Sequence, residues 1–414
     1  MSEGEGLGDP TKGGPFAFWT RMPLYARILV GLVLGVVVGL ALGPAAKPFD
    51  WPARIVLRVL GALAPVLILV AVIKAIMTAD VRGKMALRMA GLLVLNTVTA
   101  IVVGLGVANV VRPGAGAHLD RPKSAPSLHG DVFSQLLDNI PDSLVRPLVD
   151  NKVIGVVFIA VAFGVAARSL KGSERRTAED LVSLGFSCVL VVLGWVIALV
   201  PLAVFGKVAS IVGVSGFRAF AALGWFVLSV MLALAIQATY YLVRIRVKSW
   251  VRPVALVRAT RDALVMAFST ASSTLTMPVT YDRLRRLGVR ERSASLGALV
   301  GSNFNNDGTA LYEAMAALFV AQMLGVELSV IDQLLVIVTS VVASVGAAGI
   351  PEAGLVTMTL VFSAVKLPTE YIALLLTVDW FLDRCRTTIN VMGDMNVACL
   401  LDGREREPEA AVPK

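Results

Sequence analysis

Charge is scarce in this sequence. Only 16% of its 414 residues are Asp, Glu, Lys or Arg, 57% are hydrophobic, and the mean hydropathy of +0.78 lies outside the range of a soluble globular domain. An aqueous fold is excluded, and lipid becomes the solvent for most of the chain. Cysteine and histidine are scarcer still. The three cysteines, Cys188, Cys385 and Cys399, sit in apolar or helix-compatible segments, which argues against a disulfide framework and for small packing residues. The two histidines, His118 and His129, lie in a polar stretch without Cys or acidic companions, which argues against a metal site there. No short hydrophobic segment with a small-residue cleavage site precedes the first apolar run, so that run is expected to direct insertion itself.

Long apolar runs are what the sequence has instead. Ile28–Leu42, Val56–Ile76, Leu92–Val111 and Cys188–Val204 approach or reach the roughly 20 residues that a helix needs to cross a bilayer. They are too long and continuous for barrel strands. The formal net charge of +9 is sorted by loop rather than gathered on one domain, so it reads as membrane topology and not as a nucleic-acid surface. Counted by expected transmembrane span, Arg21 and Arg27 precede the first, Lys74, Arg82, Lys84 and Arg88 lie between the second and third, and Arg168, Lys171, Arg175 and Arg176 follow the fourth; these loops are expected to be cytoplasmic.

Two basic loops, Arg244–Arg261 and Arg283–Arg292, flank the segment Ala255–Tyr281, which must then enter and leave by the same face. Ser269, Thr270, Ser272, Ser273, Thr274 and Pro278 interrupt it, and it reads as a re-entrant hairpin. A second interrupted segment, Ile331–Val365, carries Ser344, Gly346, Gly349, Pro351 and Gly354 at its middle and is expected to dip in from outside. Two broken hairpins of opposite orientation, each followed by a helix with polar residues at its middle, fit the inverted-repeat logic of secondary transporters.

The chemistry concentrates in Val378–Leu401. At about 100° per residue, Asp379, Asp383, Arg386, Asn390 and Asp394 fall within an arc of about 80°. Each ionisable group at membrane depth costs at least roughly 2.5–3.5 kcal/mol, so a stripe of three carboxylates and a guanidinium requires partners. Cations and a charged zwitterion would supply them. Asp383 and Arg386, spaced i, i+3, could instead neutralise each other, leaving Asp379 and Asp394 uncompensated. The preceding segment carries Gly301-Ser302-Asn303-Phe304-Asn305-Asn306-Asp307-Gly308-Thr309, and an unwound turn there would offer oxygens to a hard cation such as Na⁺. Burial disfavours the charged form of a carboxyl, which makes Glu313, one turn beyond Thr309, a candidate proton carrier.

At these residues the sequence resembles a known family. Asp379 to Asp394 (DWFLDRCRTTINVMGD) is similar to the last transmembrane helix of the dicarboxylate/amino acid:cation symporters, and most to their excitatory amino-acid transporter branch. Gly346 to Met358 (GAAGIPEAGLVTM) resembles the second hairpin, and Ser272 to Pro278 (SSTLTMP) the tip of the first. The resemblance implies an all-α polytopic membrane protein of glutamate-transporter-homologue fold, with about eight transmembrane helices, two re-entrant helical hairpins and inverted repeats. It implies a homotrimer in the plasma (inner) membrane, multi-pass, with both termini cytoplasmic, and no organic cofactor.

Residues 1–22 and 403–414 would be tails, 23–84 and 130–212 scaffold and trimerisation helices, and 85–112 with 213–402 a mobile transport domain working as an elevator. Within the latter, hairpin 1 is expected at about 254–281, the seventh helix at about 290–324, hairpin 2 at about 330–365 and the eighth helix at about 369–402.

By the same resemblance Arg386 would bind the side-chain carboxylate of an acidic amino acid and Asp383 its ammonium. Thr387, Asn390, Ser272, Ser273, Thr309 and Gly354 would complete the substrate site. Having both Arg386 and Asp383 favours glutamate or aspartate over C4-dicarboxylates or neutral amino acids. Gly301, Asn305, Asn390 and Asp394 match one Na⁺ site of the family. Asp307, Thr97 and Asn96 match a second, where Leu93 replaces the usual Tyr and Asn96 the usual Thr. A third would use Ser344, Val345 and Ala347, with Asn306 in place of a Met. Arg384 stands in for an Arg that some prokaryotic members carry at the first hairpin, where this chain has Ala271. The absence of any Asn-x-Ser/Thr sequon favours a prokaryotic membrane. Other readings are an anion channel-like relative, a relative that binds substrate without moving it, and an intramembrane enzyme using paired aspartates; Arg386 beside Asp379 and Asp383 speaks against the last.

Overall fold

The computed structural model describes residues 22, 24–78, 84–115, 141–150, 153–215, 218–346 and 353–405, and among them all regular structure is helical. His118, His129 and Ala347 lie outside the described residues. The long helices are α1 (Leu24–Leu42), α2 (Trp51–Thr78), α3 (Lys84–Val111), α4 (Val153–Ser169), α5 (Gly172–Ala198), α6 (Val200–Ser215) and α7 (Arg218–Lys248). They continue as α8 (Pro253–Thr270), α9 (Ser273–Leu287), α10 (Asp307–Met323), α11 (Val330–Gly346), α12 (Ala353–Ala364) and α13 (Ile372–Asp402). Four stretches, Ala26–Lys74, Leu87–Val111, Gly172–Ala198 and Ala222–Lys248, are long and apolar enough to cross a bilayer.

The burial pattern is that of a protein dissolved in lipid. Large apolar side chains point outward from α1 (Leu34, Val37, Leu40), α5 (Leu184, Val191, Trp195) and α7 (Trp225, Leu228, Leu232), while carboxylates, amides and two arginines are buried. The apolar run Cys188–Val204 is not one helix. Pro201 has no N–H to offer the carbonyl one turn back, and the chain turns at Leu199 between α5 and α6. Cys188 faces outward, whereas Cys385 and Cys399 are buried packing residues.

Between α1 and α6 the contact is backbone to backbone. A Cβ on Gly31 would stand 2.5 Å from the Pro201 carbonyl oxygen, one on Gly35 2.7 Å from that of Phe205, and one on Gly39 2.8 Å from that of Ala209. This small-residue stripe is an intrachain packing signature of the membrane kind.

The pair α8–α9 turns at Ala271, which adopts a left-handed conformation (φ 50°), and Ser272 then caps α9 by accepting the Leu275 N–H at 3.3 Å. Ser272 to Pro278 does not interrupt the element further: α9 runs through Pro278 to Leu287, where Gly288 ends it with φ 99°. The second pair, α11–α12, is described on both arms. All these elements converge on α13, which packs against α3, α7, α8, α9, α10 and α12 and is buried on nearly every side. A polar stripe on such a helix can face only protein, or whatever enters.

Candidate functional site

The site forms where α13 passes a break in the chain before α10. From Glu291 the backbone runs through one α-turn, a π-helical segment (Ser295–Val300) and a 3₁₀ turn (Gly301–Asn303), then leaves helical geometry until Asp307 starts α10. The break falls on the polar run, because Asn, Ser and Gly satisfy and tolerate non-helical backbone where an apolar run would not.

Arg386 is the pivot. It is fully buried; its Nη2 donates to Asp383 Oδ1 at 2.8 Å and lies 3.1 Å from Asp379 Oδ1, while the Tyr312 ring centroid is 4.1 Å from the guanidinium carbon. Pairing of Asp383 with Arg386 therefore does not leave Asp379 uncompensated, since one nitrogen serves both carboxylates. Nε and Nη1 donate to no described group. Gly354 begins α12 beside this edge: a Cβ there would stand 3.3 Å from Nη1 and 3.1 Å from Thr309 Cγ2. A guanidinium with two uncommitted donors and a neighbouring carboxylate can receive an anionic group and an ammonium together.

One turn further, Asn390 ties α13 to the break. Its Oδ1 accepts the Gly308 N–H at 2.8 Å, and its Nδ2 donates to Asn306 Oδ1 at 3.3 Å and Thr309 Oγ1 at 3.4 Å. Asn305 Nδ2 donates to the Asn390 carbonyl and to Asp394 Oδ1, both at 2.9 Å, and Asn305 Oδ1 accepts no hydrogen bond. Gly301 stands beside Asp394 with its carbonyl accepting from Phe304 and Asn305 N–H, each at 2.8 Å. An unclaimed amide oxygen next to a buried carboxylate suits a hard cation.

Asp307 occupies a separate pocket. Thr97 Oγ1 donates to its Oδ1 at 2.6 Å and the Tyr241 hydroxyl to its Oδ2, while neighbouring Asn96 accepts from Arg244 Nη1. Asn306 Nδ2 reaches the Ser344 carbonyl at 2.8 Å, joining the break to the end of α11, where Val345 also lies. Glu313 is fully buried and takes the Thr357 hydroxyl on Oε1, with Oε2 unpaired. Thr387 is buried on α13, and Ser272 and Ser273 are buried at the α8–α9 turn. Arg384 Nη1 donates to the Phe268 carbonyl at 2.9 Å and to that of Ser269, so it caps the end of α8.

Comparison with known proteins decides the family. The sodium:dicarboxylate symporter family matches residues 24–404. The chain belongs to that family. It is 31% identical over 305 residues to a C4-dicarboxylate transport protein of Brucella anthropi, covering 71% of this chain and 68% of that one. Against excitatory amino acid transporter 1 of Ambystoma tigrinum it is 30% identical over 416 residues, covering 84% and 75%. Against the proton/glutamate-aspartate symporter of Escherichia coli it is 29% identical over 311 residues, covering 72% and 71%. These relatives are membrane transporters and not enzymes, and the substrates in their names differ.

In this member of the symporter family three residues matter that the sequence reading passed over. Tyr312 lies one position before Glu313 and closes the face of Arg386, and nothing in its sequence neighbourhood marks it for that place. Tyr241 lies in a long apolar helix far from any motif, and Arg244, counted from the sequence in a basic loop, is instead a buried residue of that helix; the packing of α7 on α10 and α3 brings Tyr241 to Asp307 and Arg244 to Asn96.

Proposed function

We propose that this protein is a secondary active symporter that carries L-glutamate or L-aspartate with cations, Na⁺ foremost. The carrying observation is Arg386: fully buried, held on one nitrogen by Asp379 and Asp383, with Nε and Nη1 uncommitted. The uncommitted edge takes the side-chain carboxylate; Asp383 takes the ammonium; Thr387, Asn390, Thr309, Gly354, Ser272 and Ser273 hold the remainder. Gly301, Asn305, Asn390 and Asp394 supply the first cation site, and Asn306, Ser344, Val345 and Ala347 a further one. Glu313 serves as the proton carrier where H⁺ is coupled.

Residues 85–112 and 213–402 move as an elevator against a scaffold of 23–84 and 130–212 in a homotrimer, with both termini on the basic, cytoplasmic face. The test is uptake of labelled L-aspartate and L-glutamate into proteoliposomes under an inward Na⁺ gradient, an inward H⁺ gradient, or neither, with succinate as competitor. Gradient-driven accumulation that Arg386→Ala abolishes is expected. Accumulation of succinate in preference to both amino acids would replace the substrate assignment, and no accumulation under any gradient would remove the symport reading.

A further inference from the structure

We infer that the guanidinium of Arg244 acts as a tethered cation for the Asp307 pocket, so that this pocket takes no free cation during transport. The inference rests on the symport reading and deepens it, since it lowers the number of cations carried with each substrate. Asp307 is fully buried, and a buried carboxylate needs a counter-charge. Its two oxygens receive only neutral hydroxyls, from Thr97 and Tyr241, and no described Lys or Arg pairs with it directly. A positive charge stands on the same two helices that hold it: Arg244 follows Tyr241 by three residues on α7 and donates to Asn96, the neighbour of Thr97 on α3.

The geometry is cooperative. Tyr241 and Arg244, three residues apart on α7, share a helix face, and Asn96 and Thr97 are neighbours on α3. Thr97 and Tyr241 hold the carboxylate while Asn96 holds the guanidinium through its side-chain oxygen. Arg244 is 8% exposed, lies over the Tyr240 ring at 5.1 Å and keeps Nη2 free of any described acceptor. A free Na⁺ beside Asp307 would need several oxygen ligands. The Asn96 amide oxygen is already committed to an N–H, the Leu93 side chain one turn earlier offers none, and a second positive charge would face the guanidinium at close range.

The test is thermal unfolding of the purified full-length chain in titrations of NaCl against choline chloride, because a cation that binds only the folded state raises Tm with its concentration. The set is wild type, Arg244→Gln, Arg244→Lys, Asp307→Asn and the double variant Arg244→Gln/Asp307→Asn. Arg244→Gln is expected to gain a Na⁺-dependent rise in Tm beyond that of wild type, Arg244→Lys to gain none, and the double variant to lose the gain. Asp307→Asn alone is expected to keep the wild-type Na⁺ response. Superimposable titrations of wild type and Arg244→Gln, or a Na⁺ response lost in Asp307→Asn, overturn the inference.

Should Arg244→Gln yield no folded protein, the double variant is expected to restore folded yield, since both charges are then gone; an equal or lower yield also overturns it. These curves need no transport. A wild type that fails to accumulate substrate would end the symport reading and leave them interpretable.

Discussion

Two buried arginines, Arg386 and Arg244, are held in opposite ways. Arg386 is fully buried and touches two carboxylates on its own helix, with a ring beneath it at 4.1 Å. Among the described residues Arg244 touches no carboxylate; it donates to an amide oxygen and lies over a ring at 5.1 Å. Direct pairing leaves the first with donors to spare for an incoming anion, because both carboxylates crowd one nitrogen. Separation by an amide lets the second act on Asp307 as a charge without becoming its hydrogen-bond partner. The same side chain can thus be a receptor for a ligand or a substitute for one, depending on which atoms the neighbours occupy.

Removing Arg386 breaks the comparison most severely. Arg386→Ala strands Asp379 and Asp383 in a buried site, and breaking a buried pair in this way costs about 3–5 kcal/mol. Uptake is expected to vanish and Tm to fall; retention of wild-type uptake would detach the cluster from transport. The next effect should come from Gly393→Ala. Its Cβ would stand 2.3 Å from Asn305 Nδ2 and 3.1 Å from both Asp307 Oδ2 and the Tyr241 hydroxyl, so it presses first on the amide that ties Asn390 and Asp394 and then on the Asp307 pair, and not on Arg386. Overpacking of that kind costs about 1–3 kcal/mol. Unfolding experiments should show the loss, and uptake by the folded fraction should keep its substrate preference; a changed preference would mean the two pockets are one.

How much of this was legible beforehand follows from which forces act locally. The stripe on α13 and the break before α10 were readable because helical period and polar composition are properties of neighbours in sequence. The hairpin turn was placed too broadly: Pro278 reads as a breaker, yet α9 runs through it and gives up the one bond that a proline cannot donate to the Thr274 carbonyl. That Asp379 lies beside Arg386 was readable from the same stripe, since seven residues on a helix is two turns and keeps both on one face, and the structure brings the two to 3.1 Å. Tyr241, Arg244 and Tyr312 were invisible for a different reason. Each gains its meaning from a contact across more than sixty positions or from a ligand-facing edge, and periodicity carries no information about which helix packs on which.

The aromatic floors sharpen the comparison at smaller amplitude. A cation–π contact is worth about 2 kcal/mol or more when desolvated and about 0.5–1 kcal/mol at exposed sites. Tyr312→Leu, under the fully buried Arg386, is therefore expected to raise KM for the acidic substrate by about tenfold or more, about 1.4 kcal/mol per decade, whereas Tyr312→Phe keeps the ring and most of the affinity. Tyr240→Leu removes the more distant ring from Arg244, which retains its amide partner, and should move KM less than about fivefold on the same scale. Its Na⁺ titration of Tm decides more than its KM does. If Arg244 is held chiefly by Asn96, that titration stays at wild type; if the ring is what aims the guanidinium toward Asp307, Tyr240→Leu acquires the additional Na⁺ response expected of Arg244→Gln.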